Sequence, residues 1–160
     1  MAGNSGFPEY PGRRAPATVG SVISEPTLPS PSSIRVLVAD DSPVFLSSLT
    51  HLLDRSRALT VVAQTSDGVE ATRLCVEHKP DLAILDLSMP RKGGLETAAG
   101  LRRLGLDLRI IIVSIHDGPD TAAQCRRHGA DSFINKVDVR RRVWPEIARL
   151  FPALDIRRPS

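Results

Sequence analysis

Five short apolar runs, each leading into a helical pattern, restrict this chain more than any other feature. The runs are 34–39 (IRVLVA), 59–64, 82–86 (LAILD), 109–115 (RIIIVSI) and 132–135. They are largely continuous rather than alternating, which marks strands buried on both faces of a parallel sheet. The first helical pattern follows the Ser42-Pro43 pair and places Val44, Phe45, Leu49, Leu52 and Leu53 on one face. Ser before Pro is a good N-cap and first-turn pair. The next helix spans 67–78 with Val69, Leu74 and Cys75 inward, and others span 94–103 and 119–128. The last, 138–151, carries a stripe of Val143, Ile147, Leu150 and Phe151. Strand and helix alternating five times, joined by right-handed crossovers, predict an α/β fold: a flavodoxin-like, doubly wound (βα)5 domain with a parallel sheet of order 2-1-3-4-5. The ligand crevice of that fold opens at the carboxyl ends of strands one and three.

The domain is expected to span 34–151. Residues 1–33 hold six of the 13 prolines and four of the 11 glycines without apolar periodicity, so this Pro/Gly/Ser-rich segment is expected to be a disordered tail. Residues 152–160 read as a short basic tail. The formal charge is only +3, but 136–160 holds seven Lys or Arg against three acids. A basic terminal helix fits a solvated or protein-docking face better than a nucleic-acid footprint. Cys75 and Cys125 have neither zinc nor disulfide spacing and read as reduced core thiols. No segment has the length and apolarity to span a bilayer, and a cytoplasmic location is expected.

Chemistry concentrates where the runs end. Asp40 and Asp41 close the first, and Asp86 closes the third, within DLSMPRKGG; Pro90, Gly93 and Gly94 prevent that strand from continuing. In the expected strand order these ends are neighbours, so three carboxylates share one crevice. At about 4 Å and an effective dielectric near 20, each like-charge pair costs on the order of 4 kcal/mol. A cation is therefore required, and an all-oxygen donor set with water favours Mg2+. Lys136, after the fifth strand, supplies a second positive charge, and Ser114, ending the fourth, a hydroxyl. Metal, ammonium and hydroxyl together form a cradle for a phosphoryl group on Asp86 as nucleophile. Each residue alone has an ordinary structural use, such as a helix cap or strand end; the conjunction of four strand ends carries the reading.

On these residues, 34–151 resembles the receiver domain of bacterial response regulators, with wording (VADDSPVF, SDGVEA, DLSMPRKGG, VSIHD, GADSFINK) similar to the NarL/FixJ-like branch. The resemblance implies a single-domain response regulator in phosphorelay signalling, phosphorylated on Asp86 by a histidine kinase or phosphotransfer protein with Mg2+. It implies metal ligation by Asp40, Asp41, Asp86 and the backbone carbonyl of Ser88. It makes Ser114 and Phe133 the switch residues, and Ser88, Ile115 and His116 the residues that tune phosphoryl lifetime. Such a domain is a signalling receiver that catalyses only its own phosphorylation and dephosphorylation. Two departures stand out. Val137 follows Lys136 where many receivers have Pro, so a trans peptide is expected. Only nine residues follow Phe151, too few for a DNA-binding output domain, so a stand-alone receiver is expected.

The output is expected from the 119–151 face, where Arg126, Arg127, Arg140, Arg141 and Arg142 suggest a downstream protein partner or a homodimer. Three alternatives remain at this level. A haloacid-dehalogenase-type phosphatase shares the Asp, hydroxyl, Lys and magnesium, but wants a second Asp where Ser88 stands. A binding module that has lost phosphorylation would not need the intact site. Direct DNA binding lacks a recognition helix. No membrane partner is expected.

Overall fold

The computed structural model describes residues 33–160. The expected disorder of 1–33 thus falls, apart from Ser33, outside the described residues. The elements are β1 (Ile34–Ala39), α1 (Pro43–Asp54), β2 (Leu59–Thr65), α2 (Gly68–His78), β3 (Leu82–Asp86), α3 (Gly94–Arg103), β4 (Arg109–Ser114), α4 (Thr121–Arg127), β5 (Ser132–Asn135), a 3-10 turn (Lys136–Asp138) and α5 (Val139–Leu150). All strand pairs are parallel, in the order β2-β1-β3-β4-β5. The expected flavodoxin-like topology holds.

The unbroken apolar runs have the anticipated cause. Successive strand side chains point to opposite faces, and both faces are covered. Val36, Val38, Ile84, Ile111 and Val113 pack with Leu49 and Leu53 of α1 and with Val143, Trp144 and Ile147 of α5. Leu37, Ala83, Leu85, Ile110 and Ile112 pack with α2, α3 and α4 through Ala71, Cys75, Ala98, Leu101 and Cys125. Both cysteines are free and buried, and burial pushes the Cys75 thiol up to about 12. The β1–β2 pairing shifts register between Val36 and Leu37: Val36 faces Val61 and Leu37 faces Ala63, so Val62 is the extra residue of a bulge.

At the amino end of the sheet Arg102 acts as a clamp. It donates to the carbonyls of Gly129 (2.9 Å) and Leu108 (2.7 Å) and to Asp131 Oδ2 (2.8 Å), which also accepts the Ile110 N–H at 2.8 Å. This ties α3 to the segments that lead into β4 and β5.

Several expectations are corrected. Val44 and Val69, placed inward by periodicity, are 78% and 45% exposed, because both lie in the first turn of their helices. Helical period fixes a face, but not whether that turn still has sheet beneath it. The fourth helix is shorter than 119–128, since the Gly118 N–H folds back to Thr121 Oγ1 (3.0 Å) before it begins. β2 runs one residue longer than expected and β4 one shorter. Residues 152–160 are more than a basic tail: Leu154 and Ile156 pack on the core beside α1 and α5, and Arg55 Nη2 donates to the Ser160 carbonyl at 2.8 Å.

Candidate functional site

The carboxyl ends of β1, β3, β4 and β5 bring the sequence-derived residues to one crevice of about 600 Å³. Asp40 follows β1 directly, is 1% exposed, and accepts the Ser42 N–H on Oδ1 at 2.9 Å. Ser42 caps α1 in turn by accepting the Phe45 N–H at 3.3 Å, as the Ser-Pro pair anticipated. One short loop therefore aims Asp40 inward and starts the helix, leaving Asp41 exposed at the mouth.

Asp86 is the last residue of β3 and 4% exposed. Its Oδ1 accepts the Ser88 N–H at 3.4 Å. The two glycines beyond it have a steric purpose: a Cβ on Gly94 would stand 2.4 Å from the Asp86 carbonyl oxygen, so glycine lets α3 start directly beneath the strand end. Burial raises the Asp86 carboxyl to about 6, and the charge of Asp40 adds to the shift while Lys136 opposes it.

Lys136 lies between the two buried acids, with Nζ 2.7 Å from Asp40 Oδ2 and 3.4 Å from Asp86 Oδ2. The first contact is an ion pair without hydrogen-bond alignment, since Asp40 Oδ2 is buried and accepts no hydrogen bond. The same ammonium sits 4.5 Å above the Phe45 ring, which fixes its position by cation–π attraction. The Lys136–Val137 bond is trans, as expected: there are no cis peptides among the described residues. Asn135 Oδ1 instead accepts the Val137 N–H at 3.1 Å and caps the 3-10 turn.

A hard divalent cation fits this donor set. Asp40, Asp41 and Asp86 present oxygens within 4.8 Å of one another, one buried oxygen lacks a donor, and the Lys136 ammonium pairs with only two of the three carboxylates. The backbone carbonyl of Ser88, expected as a further ligand, belongs to a residue lining the same crevice.

Ser114 is buried, and its Oγ accepts the His116 N–H at 3.0 Å, leaving its own proton free to donate. Ile115 and His116 line the crevice from exposed positions. Phe133 stands apart from them: it is half-buried, pairs in register with Ile112 and packs in the core under α4.

Sequence reasoning saw only part of the rim, naming Ile115 at the crevice but placing Val44 inward. Val44, Ile115 and Val137 are 78%, 66% and 82% exposed and surround the mouth of the crevice. Apolar residues flanking Asp41, Ser114 and Lys136 were the available signal. The basic face is also less free than the arginine count suggested. Arg141 pairs with Asp138 (2.9 Å), and Arg142 and Arg149 pair with Glu146 (3.5 and 2.9 Å). Arg126, Arg127 and Arg140 have no ion pair among the described residues.

Residues 36–143 match the family described as the response regulator receiver domain. The chain is 33% identical over 132 residues to the Probable transcriptional regulatory protein NarL of Mycobacterium tuberculosis, covering 82% of this chain and 61% of that one. It is 33% identical over 101 residues to the nitrate/nitrite response regulator protein NarL of Escherichia coli K12, covering 63% of this chain and 47% of that one. Thus it spans roughly half to three fifths of these relatives. The solved signal receiver domain of NarL from M. tuberculosis superposes with a TM-score of 0.73 at 32% identity, over 78% of this chain and 100% of that one. The response regulator domain of Thermotoga maritima CheB gives 0.65 at 31% identity, over 76% and 95%.

Proposed function

The chain belongs to the response regulator receiver domain family, and from that premise we propose that it receives a phosphoryl group on Asp86 and converts it into a change of binding surface. The observation that carries this is Lys136 held between the buried carboxylates of Asp40 and Asp86, beside exposed Asp41. The donor is a histidine kinase or phosphotransfer protein, and Mg2+ is the cofactor.

Asp86 attacks phosphorus in line with the imidazole nitrogen of the donor. The P–O bond forms as the P–N bond breaks, and the bonding pair stays on the imidazole. Asp40, Asp41, Asp86 and the Ser88 carbonyl are the residues that would hold magnesium, whose charge offsets that of the transferring oxygens. Lys136 serves the same end: its ammonium already touches both buried acids and need only turn to a phosphoryl oxygen. Ser114 donates its free hydroxyl proton to another.

The new charge, roughly −1.5 to −2, acts by drawing Ser114 inward, with Phe133 repacking beside it. Ser88, Ile115 and His116 border the approach of hydrolytic water and set the lifetime. The apolar rim of Val44, Ile115 and Val137 supports a protein donor, since an aqueous small phosphodonor has no use for it. Output runs through the 119–151 face to a protein partner or a second copy. This makes the domain a signalling receiver with no separate substrate to turn over. No described helix is long and apolar enough to cross a membrane.

The test is incubation of purified protein with acetyl phosphate and magnesium, followed by intact mass measurement. The expected result is gain of one phosphoryl group, absent when EDTA replaces magnesium in the incubation and absent in Asp86→Asn. A phosphoryl group that persists in Asp86→Asn overturns the assignment, and steady turnover of a phosphate monoester would revive a phosphatase.

A further inference from the structure

Beside the crevice, one turn of the backbone is bent against its residue's own preference. Arg91 has φ +64°, and the Lys92 N–H donates to the Pro90 carbonyl two residues back at 2.7 Å. The chain thus closes a three-residue turn of the rare, strained hand around an arginine. Lys79 is the other described non-glycine residue at positive φ, but it ends α2, where a left-handed cap is ordinary. Glycine would occupy position 91 without strain. What arginine adds is its guanidinium: Nε donates to Asp67 Oδ2 at 3.1 Å, and Nη2 contacts the same oxygen.

Asp67 is a firm anchor. Its Oδ1 accepts the Glu70 N–H at 2.8 Å and caps α2, and its side chain is only 18% exposed. That cap bond, together with Arg91, holds the carboxyl below its ordinary range. The loop itself is pinned at both ends, by the Leu87 N–H to the Val113 carbonyl (2.8 Å) and the Gly94 N–H to the Leu87 carbonyl (2.9 Å). Its far side presses on α2 so closely that a Cβ on Gly68 would stand 2.0 Å from the Lys92 carbonyl oxygen. Between these pins stands Ser88, whose N–H reaches Asp86 over a long 3.4 Å. A bond of that length depends on where the loop is held.

We propose that Arg91 and Asp67 form a latch that positions Ser88 over Asp86, so that opening it weakens magnesium binding and shortens the phosphoryl lifetime while the domain stays folded. The inference rests on the reading of Asp86 given above. Neither latch residue touches the reacting atoms, so both are positioning residues.

Two substitutions separate the latch from mere scaffolding. Arg91→Gly removes the guanidinium and relieves the turn. Asp67→Asn removes the charge and keeps an α2 cap. In the full chain, both are expected to raise hydrogen exchange at the Ser88 amide and to weaken the magnesium midpoint, followed by backbone chemical shifts, by about 3- to 10-fold. That lies below the span typical of direct partners of a metal ligand. At saturating magnesium, phosphoryl decay after acetyl phosphate loading should speed by a similar factor, because the loosened loop widens the approach of water past Ser88, and Arg91→Lys should restore part of each change. Wild-type magnesium midpoints and decay rates in both folded variants overturn the latch. A wild-type protein that takes no phosphoryl group on Asp86 overturns the functional reading instead, and the exchange and magnesium measurements still decide the latch.

Discussion

Asp86 carries its charge at a cost set by its surroundings. Burial, and then the neighbouring Asp40, raise its carboxyl from 3.8 to about 6. With magnesium chelated, the folded state therefore binds more protons than the unfolded chain between those two values, and stability falls as pH rises through that window. Across the shift the loss is on the order of 3 kcal/mol. Urea unfolding in EDTA should show it, and Asp86→Asn should flatten the slope; an equally steep slope in the variant would assign the titration to another group. At this scale much of the site was legible in sequence, because Asp40, Asp86, Ser114 and Lys136 each stand at the end of an apolar run, and a parallel sheet aligns those ends. Arg91 was not legible. Its left-handed turn depends on Asp67, twenty-four residues away, and no local pattern announces such a pair. Val44 misled for the complementary reason: its spacing is helical, but the sheet beneath it had ended.

Among the elements, the segment after α5 differs most from its sequence reading. Leu154 and Ile156 are two isolated apolar residues in a basic stretch, too few to form a periodicity. Ile156 is nonetheless 8% exposed and belongs to the cluster containing Leu53, Leu59 and Leu150. Ile156→Ala should cost about 2 kcal/mol, the lower end of the range for buried isoleucine, read as a lower urea midpoint with acetyl phosphate reactivity retained. An unchanged midpoint would return the segment to a passive tail. The ion pairs along α5 were available to sequence reading: Asp138 precedes Arg141 by three residues, and Glu146 stands four after Arg142 and three before Arg149. Those spacings place the charges on one helical edge, so counting arginines without their neighbours overstated the basic face. What remains for a partner is Arg126 and Arg127 on α4 and Arg140 on α5.

For the whole molecule, the surfaces proposed for donor and output are chemically unlike. The rim of Val44, Ile115 and Val137 is apolar and uncharged, whereas the α4 and α5 surface is cationic. Beryllofluoride with magnesium, standing in for the phosphoryl group, should change self-association in sedimentation velocity or shift backbone resonances in 119–151. If it does neither, output leaves by another surface. Overall topology was the most legible feature, since β-branched runs on an alternating chain admit few arrangements. Strand pairing detail was the least, and the bulge at Val62 shows what that detail can mean. β2 is an edge strand without a single charged residue, LTVVAQT, and uncharged edges invite further strands to add on. The extra residue kinks that edge and breaks its regular spacing of donors and acceptors. A small irregularity in pairing thereby makes this uncharged edge a poorer template for a further strand than its sequence alone would suggest.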